Sequence, residues 1–142
     1  MTGVELTREF WGLWNDRDLH ELPRRYDEFF TEDLEWHSPI TEVTGARVVG
    51  RDGFEQHLAD LLDAFDEICA DAKEIVEIAP GVVRSTVWIH GTGAQSGAAI
   101  DAPLIAVARL RAGRIAWAWG SFDIEAGERV ADAVARGETV AI

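Results

Sequence analysis

AAIDAPLIAVARLRAGRIAWAWGSFD, residues 98–123, holds two runs in which apolar side chains alternate with small or polar ones, joined at Ala112-Gly113. A period of two puts successive side chains on opposite faces of a strand, so the stretch predicts an antiparallel hairpin. In the second run Trp117, Trp119, Ser121 and Asp123 share one face, and Ala116, Ala118, Gly120 and Phe122 share the other. Bulk on one side and small residues on the other imply that the two faces of the sheet have different neighbours.

Upstream, EIVEIA (residues 74–79) and VVRSTVWIHG (residues 82–91) read as two more strands, separated by Pro80-Gly81 and followed by a Gly-Ser-rich turn. Four strands in meander order result. The N-terminal half is helical in pattern instead. Thr2 and Glu5 have capping-box spacing, and Leu6, Phe10, Leu13 and Trp14 recur at helical intervals up to about Asn15, with Trp11 widening the apolar face. Asp18 and Glu21 suggest a second start, which Pro23 turns into a short turn before a helix through Tyr26, Phe29 and Phe30. DLEWHSPI (residues 33–40) predicts a strand ended by Pro39, and a turn containing Gly45 follows. GRDGFEQHLADLLDAF (residues 50–65) carries Phe54, Leu58, Leu61 and Phe65 on one helical stripe. EAGERVADAVARG (residues 125–137) predicts a closing helix with Val130 and Val134 on one face and Gly137 as its stop. Helices first and an antiparallel sheet afterwards is an α+β layout, here expected as one domain over residues 1–142.

With 47% hydrophobic residues the chain can bury a core of its own. Its net charge of −13, from 26 acidic and 13 basic residues, opposes binding to nucleic acid or anionic membrane surfaces. Cys69 is the sole cysteine, which rules out an internal disulfide and a multi-cysteine zinc site and fits a cytoplasmic location. The N-terminus lacks the basic and apolar regions of a signal peptide, and no apolar run reaches the roughly 18 residues of a membrane span. No pair of histidines has metal-motif spacing, and GTGAQSG (residues 91–97) lacks the Gly-Lys-Ser/Thr of a phosphate loop. Neither a metal nor another cofactor is expected.

The order of elements, with FFTEDLEWHSP (residues 29–39), GRDGFEQHL (residues 50–58) and GRIAWAWGSFD (residues 113–123), resembles the nuclear transport factor 2-like superfamily. That grouping includes SnoaL-like polyketide cyclases, ketosteroid isomerases and limonene epoxide hydrolases. The resemblance implies a cone in which a strongly curved, mostly antiparallel sheet wraps the N-terminal helices around one deep apolar pocket. It also implies a small apolar organic ligand, and cofactor-free proton transfer of isomerase, cyclase or hydrolase type. The alternative is a non-catalytic module that binds a hydrophobic ligand or dimerises.

Carried over by position, the resemblance puts Ser38 where ketosteroid isomerases hold their proton-shuttling carboxylate, and Phe10 and Ala106 near their oxyanion donors. Val87, Ile89 and Gly120 stand where limonene epoxide hydrolases hold an Asp-Arg-Asp set. The expected lining is Phe10, Leu13, Trp14, Trp36, Phe54, Leu58, Val87, Ile89, Leu104, Ala106, Gly120 and Phe122. If Ala118 and Gly120 face this pocket, Trp117 and Trp119 point outward with Trp88, forming an aromatic patch for a second copy to cover as a homodimer. In the opposite assignment the tryptophans form a stacking wall for substrate.

Three residues are candidates for chemistry. His37 can exchange a proton near neutral pH at a strand end, and Ser38 can hold a water or substrate oxygen beside it. Both also have a simple structural reading at a strand edge. Asp123 is either an acid or base at the pocket mouth or the N-cap of the closing helix. His90 and Asp101 are expected to face each other across a hairpin as a surface pair, and His20 and His57 to face solvent.

Overall fold

A computed structural model describes residues 1–140. Helix α1 (Gly3–Asn15) opens with the expected capping box, in which Thr2 Oγ1 accepts from the Glu5 amide at 3.1 Å and Glu5 Oε1 accepts from the Thr2 amide at 3.4 Å. Its apolar stripe buries Leu6, Phe10, Trp11 and Trp14. A 3-10 turn at Leu19–Glu21 precedes Pro23, and α2 is a single turn, Tyr26–Phe29. Phe30, expected on that helix, instead begins strand β1 (Phe30–His37).

Pro39 does end β1, but by opening a short helix where only a turn was expected. This is α3 (Pro39–Thr44), with proline in its first turn, Ser38 as N-cap, and Gly45 closing it in the left-handed region at φ 71°. After β2 (Val48–Val49) and α4 (Gly50–Ala64), the chain passes directly into β3 (Phe65–Ala79), so Phe65 starts a strand rather than ending a helix. The meander continues through β4 (Val82–Gly93), β5 (Ala99–Arg111) and β6 (Arg114–Ser121), and α5 (Ile124–Ala135) follows.

The strands form one sheet in the order β2-β1-β6-β5-β4-β3. Only β1 and β6 run parallel; all other neighbours are antiparallel. A bulge interrupts the β5–β6 ladder, where Leu110 pairs Ile115 and Arg109 pairs Trp117. Ala116 is thereby left out of the pairing, and Ile115 joins Ala118 in the inner core. Strict alternation, which grouped Ala116 with Ala118, fails at that one step.

The inner face of the sheet holds α1 and α4 over an aromatic core centred on Phe10. The Phe10 ring lies 5.0 to 6.5 Å from those of Trp11, Trp14, Phe29, Phe30 and Trp36, mostly edge to face. The outer face is covered elsewhere by α5, whose Ala131 and Val134 pack with Val82, Val107 and Trp117. This approach is close enough that a Cβ on Gly127 would stand 1.7 Å from Ile105 Cγ2. Trp117 points outward as the small-face assignment requires, yet it is only 9% exposed. The aromatic patch expected to be covered by a second copy is therefore covered at Trp117 by the chain's own helix, with the Arg109 guanidinium 5.3 Å above the indole. Trp88 and Trp119 remain half-buried, and the Trp88 indole donates to Asp101.

Candidate functional site: an aromatic cavity under the sheet

Beneath the inner sheet face lies a cavity of about 160 Å³. Small residues create it. Ala106 on β5 pairs with Gly120 on β6, and Ala108 pairs with Ala118, so four neighbouring positions project almost nothing into the space beneath them. Phe10, Trp11 and Trp14 of α1 and His57 and Leu61 of α4 close the opposite side, and Trp36 of β1 stands beside Ala118 on the sheet. Ile89, Ile100 and Leu104 complete the apolar wall, and Ile40 and Phe122 border it as well.

Eight of the residues expected in the lining are there: Phe10, Trp14, Trp36, Ile89, Leu104, Ala106, Gly120 and Phe122. Four others belong to the solid core rather than to the wall. Phe54 is wedged among Tyr26, Phe30 and Trp36, with ring centroids 6.0, 4.7 and 5.2 Å away. Leu58 and Val87 are enclosed by the same core, and Leu13 packs against its edge.

His37 stands beside the cavity, but its imidazole is turned to the other side of β1. Its Nε2 lies 3.6 Å from Glu35 Oε2 and its ring 6.1 Å from the ring of Trp117, on the face covered by α5. The alternation of β1 explains this, since Leu34 and Trp36 take the inward places. Ser38 borders the cavity with its hydroxyl engaged as the cap of α3, accepting from the Thr41 amide at 3.3 Å. Asp123 is exposed and caps α5, accepting from the Ala126 amide at 3.1 Å. The three residues considered for chemistry thus do not converge on one point. His90 and Asp101 form the surface pair expected of them, 3.1 Å apart, and His20 is exposed.

The ionisable group inside the wall is His57, expected in solvent. It follows Phe54 by three positions and precedes Leu61 by four, which puts it on the buried stripe of α4. Burial holds its imidazole below the ordinary histidine value, with Asp60 pulling weakly the other way. At neutral pH the ring is uncharged and its free nitrogen can accept a proton. Its centroid lies 6.1 Å from that of Trp36. Tyr26, which is fully buried, is pushed up to about 12 by burial, donates to the Thr31 carbonyl at 2.7 Å and lies outside the lining.

The indole nitrogens of Trp14 and Trp36 are buried and have no acceptor. An unmet buried donor costs about 1–3 kcal/mol, and both are too enclosed for a water molecule to reach, from solvent or from the cavity. Among the described residues no Asp, Glu, Lys or Arg lines the space, although the chain carries a net charge of −13. The cavity is therefore apolar and uncharged.

The family model of the SnoaL-like domain matches residues 7–118, and the chain belongs to that family. A comparison with curated proteins finds no match. Among solved structures, the chain is similar to an NTF2-like protein of unknown function from Burkholderia pseudomallei, at 18% identity and a TM-score of 0.71, covering 91% of this chain and 97% of that one. It is also similar to TerC co-crystallised with polyporic acid, at 16% identity and a TM-score of 0.69, covering 92% and 98% of the two chains. A third similar structure is a protein from Catenulispora acidiphila with a ketosteroid isomerase-like fold in complex with trimethylamine, at 13% identity and a TM-score of 0.69, covering 95% and 94%. These likenesses establish the α+β fold, with its curled and unclosed sheet. Among the described residues no helix is long and apolar enough to cross a membrane.

Proposed function

We propose that this protein is an enzyme that moves a proton on a small, largely apolar organic molecule without an external cofactor, in the manner of an isomerase, a cyclase or a hydrolase. The cavity under the sheet is its site. One observation carries the reading: the imidazole of His57 lines the apolar wall and is held below the ordinary histidine value by burial, while the other histidine at the cavity, His37, turns its ring away. An uncharged base in a water-poor site can take a proton from carbon or from a bound water, and the surrounding aromatic rings hold a flat apolar skeleton against it. His57 is the residue assigned to that transfer. His37 and Ser38 border the same space, the first turned away and the second engaged as a cap. Small organic ligands in two structural relatives, polyporic acid and trimethylamine, support a ligand site in a chain of this fold.

The test needs no knowledge of the natural substrate. Pure protein is incubated in deuterium oxide with a panel of enolisable ring ketones, and deuterium entering the carbon next to the carbonyl is followed by mass spectrometry. Wild type should accelerate the exchange, and His57→Gln should reduce that acceleration by about 100-fold or more. Exchange that survives His57→Gln undiminished contradicts the assignment. Ketones that bind without exchanging identify a passive binding module instead.

A further inference from the structure

We infer that the hydroxyl of Ser85 is a second polar contact in the cavity, across the sheet from His57, and that it orients a ligand carrying a hydrogen-bonding oxygen at each end of an apolar skeleton. Ser85 is a positioning residue, and His57 remains the residue assigned to the proton transfer. The inference rests on the reading of this cavity as the ligand site.

Ser85 sits in the middle of the inner sheet face. Along β4 the inward places are taken by Val83, Ser85, Val87 and Ile89. Its partners in register are Ile75 on β3 and Ala106 on β5, and Ala106 in turn pairs with Gly120 on β6. The row is therefore apolar or small except at Ser85, which is 2% exposed and lines the cavity. Of the lining hydroxyls, that of Thr7 donates to the Gly3 carbonyl at 2.7 Å and that of Ser38 caps α3. Ser85 Oγ has no partner among the described residues, and unlike the enclosed indole nitrogens it opens onto the cavity.

A buried hydroxyl without a partner is a net cost, which alanine would avoid in a row where Ala106 and Gly120 already keep the side chains small. Water is a poor remedy. It needs two or more polar partners, and the side chains next to Ser85 on this face, those of Ile75, Val83, Val87 and Ala106, offer none. An oxygen carried on the ligand does remove the cost, because serine both donates and accepts.

The sheet keeps the two polar contacts apart. His57 stands beside Trp36 of β1, with ring centroids 6.1 Å apart, whereas Ser85 belongs to β4, and β6 and β5 run between. Three inter-strand steps of about 4.8 Å separate β1 from β4, and curling of the sheet shortens that span to roughly the length of a fused bicyclic skeleton. A ligand with one polar end can lie either way round. One held at both ends presents a fixed carbon to His57.

The probes are 2-naphthol and 2,6-dihydroxynaphthalene, which share a skeleton and differ by one remote hydroxyl. Calorimetric titration gives their affinities, and shifts of the Ala106 and Gly120 amide signals in proton–nitrogen spectra show that a probe is in the cavity. Wild type should bind the diol about fivefold more tightly than 2-naphthol, the worth of one net hydrogen bond. Ser85→Ala should remove that advantage. Thr86→Ala, one step along β4 and on the outer face, should keep it. Thermal unfolding supplies a readout that a structural role would move the other way. With no bond to lose, Ser85→Ala should unfold at the wild-type temperature or above it.

If both probes occupy the cavity and the diol has no advantage, or keeps it in Ser85→Ala, the role of Ser85 is overturned and the cavity remains the ligand site. A lower unfolding temperature in Ser85→Ala also overturns it, because the hydroxyl then serves the fold. If neither probe enters the cavity, the reading of the site fails and the inference fails with it.

Discussion

His57 and Trp36 meet at the cavity wall with ring centroids 6.1 Å apart and planes inclined by 50°. The contact joins the helix α4 to the strand β1 and takes the imidazole partly out of water, which lowers its affinity for a proton. A group that binds its proton less tightly in the folded than in the unfolded chain makes stability depend on pH. The unfolded histidine takes up protons as pH falls through about 6.5 while the folded one does not, so stability is lost on acidification. Against His57→Gln, which has no such group, wild type should lose stability progressively below that pH in denaturant titrations. A relative gain on acidification would contradict the burial argument.

Phe10 touches five aromatic rings from three elements and lines the cavity as well. Phe10→Ala removes the centre of this cluster. The substitution should cost about 3–5 kcal/mol in unfolding free energy, the range for a buried aromatic cut to alanine. A loss below about 1 kcal/mol, the scale of an ordinary exposed change, would mean that the ring is not packed as described.

Helix α5 reaches the outer face of the sheet only because residue 127 has no side chain. Gly127→Ala puts a methyl group where Ile105 Cγ2 stands 1.7 Å away, closer than any real contact. Helix or strand must shift, at a cost of about 1–3 kcal/mol. Since α5 covers Trp117, the same variant should make tryptophan fluorescence more sensitive to quenching by acrylamide. Unchanged stability together with unchanged quenching would place α5 elsewhere.

Asp123 can be judged by two substitutions. Asparagine caps helices as well as aspartate does, and alanine does not. Asp123→Ala should therefore cost about 1 kcal/mol and Asp123→Asn much less, with deuterium exchange on ring ketones unaffected in both. A loss of exchange in Asp123→Asn with its stability retained would return the residue to the chemistry.

Much of the fold was legible in local patterns. The capping box of α1, the hairpin turn at Ala112-Gly113 and the helix begun by Asp123 are all set by neighbours within a few residues. Strand β3 was recognised only in its second half, because the inward residues of the first half include Ala70 and Ala72, too small to mark an apolar face among acidic neighbours. Helix α3 was missed because its start was read only as the end of a strand, although Ser38-Pro39 is also a good helix opening.

In the site, the lining residues from the sheet followed from alternation once the inner face was assigned. The outward turn of His37 was legible too, since it lies one step from Trp36 on a strand where Leu34 and Trp36 face inward. His57 was hidden by its polarity. Its spacing from Phe54 and Leu61 put it on the buried stripe, but a histidine there reads as surface until something shows what lies opposite. The cover of α5 over Trp117 depends on the path of the chain after residue 121, which no local pattern contains.

At neutral pH the cavity holds the uncharged imidazole of His57. Titration of the His57 ring by nuclear magnetic resonance, with its signal identified from His57→Gln, measures this directly. The expected midpoint lies below 6.5 and shifts when a ring ketone of the exchange panel occupies the cavity. A midpoint at or above 6.5, indifferent to the ketone, would contradict it.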